Sequence, residues 1–177
     1  MANALAVCFF VSTVLCAYAQ PSSAPEYEVK AAFLYNFAKF VEWPEGTFPD
    51  DRTVMNVCVI SESSFCMTLE SIQGKKIKGR EIVVRQCREI KDSGTCHILF
   101  VCSSEKKRFG QILESVKYKR ILTVGESEGF AHLGGIINFT MVGNKIAFEI
   151  NIDAARAAGL KISSKLLKLA KIVREKP

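Results

Sequence analysis

Apolar and polar positions change period several times along this chain, and each change marks an expected element boundary. A helical pattern over residues 26–42 ends at Trp43 and Pro44, where proline prevents continuation. Downstream, short apolar runs between glycines or polar clusters predict strands, and longer amphipathic runs predict helices. The predicted strands are residues 53–60, 81–86, 97–101, 120–124, 136–142 and 145–150, and the predicted helices are residues 26–42, 63–72 and 105–118.

The order of these elements predicts the fold class. From residue 53 onward it reads β-α-β-β-α-β, and the helical crossovers favour parallel strand pairing. The last two strands flank Gly143 and Asn144, a two-residue turn that is typical of an antiparallel hairpin. The sequence therefore predicts a three-layer α/β domain with a mixed sheet of about six strands, mainly parallel, with an antiparallel C-terminal hairpin.

The C-terminal segment carries most of the net charge. The whole chain has a formal charge of +6, of which +5 lies in its last seventeen residues. Lys161, Lys165 and Lys168 follow helical spacing opposite apolar positions, which predicts a basic amphipathic helix capped by Ser163 or Ser164. Its lysines form either a solvated face or a surface for acidic partner residues or anionic lipid head groups. Without interleaved stacking aromatics, the pattern does not favour nucleic-acid binding.

The N-terminus is typical of an exported protein. Residues 1–19 carry no charge, residues 5–16 are apolar, and Ala17-Tyr18-Ala19 resembles a small-x-small cleavage signature. This run is shorter than the roughly 20 residues of a membrane span. We therefore expect a signal peptide at residues 1–19, a tether at 20–25 and one domain at 26–177, with at most peripheral membrane contact. A lipoprotein acylated at Cys16 is the alternative.

The residues offer no complete catalytic constellation. The cysteines include no C-x-x-C pair, and Cys96 and His97 are neighbours on a predicted strand, where their side chains point to opposite faces. Ser103 and Ser104 are expected to cap a helix, and His132 lies in a predicted loop with no identifiable geometry of a catalytic base. Glu126 and Glu128 would repel phosphate in the glycine-rich loop at residues 125–135. We expect a non-enzymatic protein with no metal and no cofactor, although this loop follows a strand and could line a small effector pocket.

The first predicted helix has apolar side chains on more than one of its faces. Val29, Phe33, Phe37, Phe40 and Val41 form its expected core face. Outside that face, or at its edge, lie Leu34, Tyr35, Ala38 and the adjoining Trp43. Either the helix is wedged between the sheet and the C-terminal helix, or its extra aromatic surface contacts a partner or a second copy in a homodimer.

Six segments resemble one family of exported bacterial regulators, the YfiR family. They are KAAFLYNFAKFVEWP (30–44), KIKGREIVVR (76–85), CHILFVCSSE (96–105), GGIINF (134–139), FEIN (148–151) and AARAAGLKISSKLLKLA (154–170). Because they occur in order along the chain, the resemblance extends from about residue 27 to the end. The resemblance implies a periplasmic protein that restrains a membrane-bound signalling enzyme, in the best understood branch a diguanylate cyclase of cyclic-di-GMP signalling.

The cysteines that follow the expected leader are odd in number, so they cannot all pair within one chain. Cys58 and Cys96 lie on strands that neighbour each other in the common order 2-1-3, and related sequences carry cysteines at both positions. A Cys58–Cys96 disulfide is the first choice, Cys66 with Cys87 is a weaker second pair, and Cys102 is the expected free thiol. The bridge serves either stability alone or redox control.

Two functions remain. The first is a periplasmic regulatory binding protein that docks onto the periplasmic domain of an inner-membrane diguanylate cyclase or sensor kinase. Its candidate contact residues are Tyr35, Trp43, Lys161, Lys165 and Lys168. The second is a periplasmic small-ligand binder for uptake or envelope sensing, with the loop at residues 125–135 as its site.

Overall fold

The computed structural model of the protein describes residues 24–61, 65–87 and 96–174, and among these it leaves the side chains of residues 24, 25 and 65–68 undescribed. The expected signal peptide and residues 20–23 of the expected tether lie outside the described residues. Residues 24 and 25 already belong to the first helix, α1, which the sequence predicted to begin at residue 26.

Helices cover both faces of one main sheet. The helices are α1 (Ala24–Phe40), α2 (Phe109–Val116), α3 (Ile152–Ala157) and α4 (Ser164–Leu167), with 3₁₀ helices at Phe65–Ile72, Ser103–Arg108 and Ala131–Leu133. The strands are β1 (Val41–Glu42), β2 (Met55–Ile60), β3 (Lys76–Ile77), β4 (Arg80–Cys87), β5 (Ile98–Val101), β6 (Leu122–Gly125), β7 (Ile137–Val142), β8 (Lys145–Asn151), β9 (Lys161–Ile162) and β10 (Lys171–Val173).

The main sheet confirms the predicted mixed architecture. Within the described ranges it has eight strands in the order β10-β8-β7-β6-β5-β2-β4-β3, and β1 pairs separately with β9. Strands β4, β2, β5, β6 and β7 are successively parallel. The central strands β2, β5 and β6 are buried along their whole length, as expected for parallel strands covered on both faces.

The strand count exceeds the expected six because short strands lie at both edges of the main sheet. At one edge, β3 pairs antiparallel with β4 across a tight turn at Lys78 and Gly79, which have φ values of 49° and 82°. At the other edge, β10 pairs parallel with β8. Strands of two or three residues are too short to show a period-2 pattern.

The predicted hairpin is confirmed. Strands β7 and β8 pair antiparallel, and Val142 lies opposite Lys145 on either side of the two-residue turn. Gly143, the first turn residue, has a φ of 58°, a conformation that glycine adopts without steric cost.

The packing of α1 corrects part of its predicted core face. Val29 was expected inside and is 45% exposed, whereas Leu34 and Ala38 are fully buried. Phe37 packs against two residues of the hairpin, with ring centroids 5.6 Å from Phe139 and 5.0 Å from Phe148. The helix is wedged between the sheet and neighbouring helical segments, so two of its flanks are buried rather than one. None of the described helices is long and apolar enough to cross a membrane.

The predicted basic C-terminal helix is wrong. Lys161 belongs to β9, only Ser164–Leu167 is α-helical, and Lys171 begins β10. The backbone N–H and C=O groups of β9 and β10 form hydrogen bonds with β1 and β8. They therefore do not need the hydrogen bonds of a continuous helix. The expected cap is confirmed at Ser163, whose side-chain oxygen accepts a hydrogen bond from the backbone N–H of Lys165 at 3.3 Å.

Candidate functional site

A cavity of about 800 Å³ opens beside the free edge of β7, near the start of α1, and we call it the edge cavity. Strand β6 pairs with β7 only as far as Asn138, so residues 139–142 extend beyond their parallel neighbour. The cavity is lined by Glu26, Lys30, Glu126, Glu128, Gly129, His132, Leu133, Phe139, Thr140, Met141, Ile146, Glu149 and Lys171. Five of these residues belong to the loop at 125–135, so the predicted effector loop does line a cavity.

A buried ion cluster forms one wall of the edge cavity. The Nζ atom of Lys30 lies 2.6 Å from Glu26 and 2.8 Å from Glu126. Glu126 also accepts a hydrogen bond of 2.9 Å from the backbone N–H of Ser103. Burial alone would lower the pKa of Lys30, but the hydrogen bonds to Glu126 and Glu26 outweigh it and raise the pKa above its ordinary value. Lys30 is therefore a fixed cation at this wall.

A second ion pair borders the cavity on the side of the hairpin. The Nζ atom of Lys171 lies 2.9 Å from the carboxylate of Glu149, and the two residues are directly opposite in the β8–β10 register. Glu149 is buried, whereas the Lys171 side chain is largely exposed. Apolar side chains of the hairpin also line the space, among them the buried Phe139 and the exposed Met141. The site thus combines charged groups of both signs with apolar surface.

The glycines of the loop make room for Phe130. A Cβ atom at Gly125 or at Gly135 would collide with the Phe130 ring, which is fully buried. Gly134 has a φ of 101°, in the region that favours glycine. These glycines therefore serve packing and turn formation.

Two polar contacts tie the loop to the last residue of β8 and to Arg174. The side-chain amide of Asn151 donates a hydrogen bond of 2.8 Å to the carbonyl oxygen of Ala131. Nδ1 of His132 lies 3.0 Å from the carbonyl oxygen of Arg174. His132 consequently holds a wall of the cavity in place.

The predicted Cys58–Cys96 disulfide is confirmed. The two residues are joined with their Cα atoms 5.8 Å apart, and both are buried. The Sγ atoms of Cys58, Cys87 and Cys96 all lie within 4.8 Å of one another, a spacing that could suit a metal. Metals bind thiolates, however, and two of these sulfurs are committed to the disulfide.

The other cysteine predictions concern Cys66, Cys87 and Cys102. The Cys66 side chain lies outside the described residues, so the weaker Cys66–Cys87 pair stays a prediction. Cys87 is buried next to the disulfide, and Cys102 is buried in the core that includes α1.

Two of the predicted partner-binding residues are aromatic: Tyr35 lies in α1, and Trp43 directly follows β1. The hydroxyl of Tyr35 donates a hydrogen bond of 3.2 Å to the carbonyl oxygen of Lys76, and the Lys39 ammonium lies 4.2 Å from the Tyr35 ring centroid. Trp43 is partly buried and packs edge-on against Phe48, with ring centroids 6.1 Å apart.

The lysines predicted as contact residues are all exposed. They are Lys161, Lys165 and Lys168. Lys161 lies opposite Glu42 in the β1–β9 pairing, and Glu42 directly precedes Trp43 in sequence. Their role in partner binding stays a prediction.

Sequence reasoning missed the cluster of Lys30, Glu26 and Glu126. A lysine in an apolar helix, four residues after a glutamate, was a usable signal for the first pair. Glu126 is 96 residues away from Lys30, so no local pattern could join them.

Solved structures share this fold at low sequence identity. A conserved domain protein from Vibrio cholerae O1 biovar El Tor matches with a TM-score of 0.58 and 12% identity, over 82% of this chain and 59% of that chain. An ABC domain from Streptococcus pneumoniae, in complex with L-Trp, matches with a TM-score of 0.50 and 11% identity, over 68% of this chain and 55% of that chain. The chain thus spans somewhat more than half the length of each of these proteins.

The family is shown by sequence. The family model described as YfiR/HmsC-like (DUF4154) matches residues 27–171, which include most of α1, the disulfide, most of the edge-cavity residues and most of the C-terminal segment. This agrees with the resemblance carried by the six segments. The chain belongs to the YfiR/HmsC-like family.

Proposed function

We propose that this protein is an exported, non-enzymatic regulatory binding protein that restrains a membrane-bound signalling enzyme through its periplasmic domain. A diguanylate cyclase is the first candidate partner, and a sensor kinase is the second. Family membership supports the regulatory role, and the apolar run at residues 5–16, followed by the small-x-small signature Ala17-Tyr18-Ala19, supports export.

The observation that carries the docking proposal is exposed apolar surface around the edge cavity. Leu133 and Met141 line the cavity and are 56% and 54% exposed. Val142, next to Met141, is 68% exposed, and Ile172 follows the cavity residue Lys171 on β10. Exposed apolar surface bordering a concave site is typical of a protein-binding surface. We infer that a protruding apolar side chain of the partner enters this cavity.

Binding of purified residues 20–177 to isolated periplasmic domains of the host's diguanylate cyclases and sensor kinases tests the proposal. Met141→Glu should weaken binding at least tenfold, because it places a charge on the apolar rim. Tyr118→Glu is the matched control, since Tyr118 is 72% exposed and lies in the turn after α2. Circular dichroism should show that both variants stay folded.

The same assay separates the edge cavity from the surface predicted by sequence. Tyr35→Ala and Lys165→Glu should leave binding unchanged if the cavity rim is the contact surface. Loss of binding in these variants, with Met141→Glu unaffected, would move the interface to the first helix. Binding to none of the periplasmic domains would reject the proposed regulation.

A small-ligand-binding role is the second candidate. The edge cavity offers Lys30 and Lys171 for a carboxylate, Glu128 for an ammonium group and Phe139 for an apolar side chain. The fold is shared with the Streptococcus pneumoniae structure, which is a complex with L-Trp. Free L-tryptophan is therefore a suitable probe. At a concentration a hundred times its Kd, tryptophan should stabilise the protein by about 2.7 kcal/mol. A melting temperature that stays unchanged up to about 10 mM tryptophan would reject this role for tryptophan.

A further inference from the structure

The hydrogen-bond pattern of the hairpin decides which backbone groups of β7 face its free edge. The backbone N–H of Asn151 donates a hydrogen bond of 2.8 Å to the carbonyl oxygen of Ile136. Hydrogen-bonded and non-hydrogen-bonded pairs alternate along an antiparallel ladder, and Thr140 is an even number of positions from Ile136. The N–H and C=O groups of Thr140 therefore point to β8, whereas those of Met141 point away from β8, to the free edge.

This free edge is open to a further strand. Strand β6 ends its pairing at Asn138. Among the described residues, no other strand continues the sheet beside Met141, and no hydrogen bond from a loop reaches its backbone groups. Met141 lines the edge cavity and is 54% exposed, so the edge is accessible. An exposed apolar strand edge with unpaired N–H and C=O groups is a template for strand addition.

The two faces of the free edge differ in chemistry. Phe139 and Met141 lie on the face that packs against α1, where the Phe139 and Phe33 ring centroids are 5.9 Å apart. Thr140 lies on the opposite face, together with Glu149 and its ion pair. Side chains alternate between the faces of a strand. A strand added beside β7 would therefore have apolar side chains on the α1 face and polar side chains on the other.

The cavity favours a basic segment. Four glutamates and two lysines line it, so its formal charge is negative. Three of the glutamates are paired with these lysines. Within the part of the chain that the structure describes, no ion pair involves the fourth, Glu128, which is exposed. Glu128 can thus pair with a lysine or arginine of an incoming segment.

We propose that the free edge of β7 binds an extended, basic segment of the partner protein as an added β-strand. The N–H and C=O groups of Met141 pair with backbone groups of that segment. Its apolar side chains lie beside Phe139 and Met141, and a basic side chain faces Glu128. This proposal names the binding mode of the docking function proposed above, on which it rests.

Replacement of one backbone donor tests the added strand. Met141→Pro removes an N–H group that the hairpin does not use, and strand edges tolerate proline at such positions. Met141→Ala is the matched control, because it also removes the methionine side chain but keeps the N–H. Met141→Pro should bind the partner's periplasmic domain about tenfold more weakly than Met141→Ala. Exchange of the Met141 amide proton, followed by NMR, should slow in the complex.

Thermal unfolding checks that the proline acts on binding rather than on the fold. Met141→Pro and Met141→Ala should have similar melting temperatures. Thr140→Pro should unfold at a lower temperature, because the Thr140 N–H points to β8 and its loss breaks a hydrogen bond of the hairpin.

Equal binding by Met141→Pro and Met141→Ala would overturn the added strand. The docking function would still stand if Met141→Glu weakened binding, so the two failures are distinguishable. Homodimers of the unmodified protein that Met141→Pro abolishes would also overturn the proposal, because they would assign the edge to a second copy of this chain.

If none of the periplasmic domains binds, the docking function fails and a synthetic peptide decides whether the edge accepts a strand. The probe is acetyl-Lys-Val-Thr-Val-Thr-Val-Lys-amide, and its control is the analogue methylated at every backbone nitrogen between the two lysines. Binding of the unmodified peptide with a Kd below about 1 mM, lost on methylation and in Met141→Pro, would support strand addition. No binding, or equal binding of the two peptides, would overturn it.

Discussion

The ammonium group of Lys30 lies 2.8 Å from the carboxylate of Glu126, and the two side chains are only 6% and 3% exposed. This contact joins the first turns of α1 to the loop that follows β6. It forms one wall of the edge cavity and fixes the position of the N-terminal helix relative to the sheet. Because a buried charge without its partner is costly, the pair has a measurable role in stability.

Removal of one partner of this pair should destabilise the protein strongly. We expect Lys30→Met to lower the free energy of unfolding by about 3 kcal/mol, because it leaves the Glu126 carboxylate buried without its cation. Urea denaturation measures the change. Lys117→Met is the control, since Lys117 and Glu114 form an exposed pair 3.8 Å apart whose loss should cost less than about 1 kcal/mol. Equal effects of the two substitutions would contradict the buried-pair interpretation.

Gly135→Ala should destabilise the loop, because its new methyl group would collide with the ring and the carbonyl oxygen of Phe130. Overpacking of this kind costs about 1–3 kcal/mol. Gly110→Ala, in α2, is the matched control, because a Cβ atom at Gly110 meets no heavy atom within 4 Å. This change should be neutral or stabilise by up to about 1 kcal/mol. Thermal unfolding of both variants tests the contrast, and a stable Gly135→Ala protein would show that Phe130 can move aside.

Loss of the disulfide should cost about 3–4 kcal/mol, as expected for a sequence separation of 38 residues. The double variant Cys58→Ala, Cys96→Ala and the reduced unmodified protein should unfold at similar urea concentrations. Added reductant should not shift the double variant further. A reductant-dependent shift in the double variant would reveal that another disulfide contributes.

Stability should fall with acidification because of His97. Burial, and secondly the positive charge of Arg80, lowers the pKa of His97 below its ordinary value of 6.5. Nδ1 of His97 accepts a hydrogen bond of 3.0 Å from the backbone N–H of Asn56, which only an unprotonated nitrogen can do. Well above pH 6.5 the ring is neutral in both the folded and the unfolded state. As pH falls, the unfolded chain gains the proton first and becomes favoured.

The free energy of unfolding, measured from pH 8 to pH 5, tests this linkage. Below about pH 6.5 the His97 contribution should decline by at most about 1.4 kcal/mol per pH unit, until the pH reaches the lower pKa of the folded state. His97→Gln should lose this part of the slope. His132→Gln leaves His97 in place and should retain it. An unchanged slope in His97→Gln would assign the acid sensitivity to other groups.

Much of the parallel core was predictable because its signals are local. The apolar runs at β2, β5 and β6 indicated buried strands, and the turn at Gly143 indicated a hairpin. The order of β4, β2 and β5 followed from the common crossover topology. That order, together with the family resemblance, made Cys58 and Cys96 the first choice of disulfide partners.

The C-terminal segment was wrongly predicted as a helix because its lysine spacing fits a helix, whereas its backbone forms strand pairs with β1 and β8. The Lys161 partner Glu42 and the Lys171 partner Glu149 are separated from them by 119 and 22 positions, so neither pairing leaves a local signature. Tertiary pairing outweighed helix periodicity here.

The sequence by itself determined the family and the alternation of elements, since both depend on local patterns or recognisable segments, and it made Cys58–Cys96 the first choice of disulfide. Only the tertiary structure decided where the cavity lies and which charges line it. Lys30 and Glu126 meet because the first turns of α1 lie beside the loop that follows β6, and Phe130 fills the space that Gly125 and Gly135 leave. Contacts of this kind arise from the close packing of distant segments, which a one-dimensional pattern does not encode.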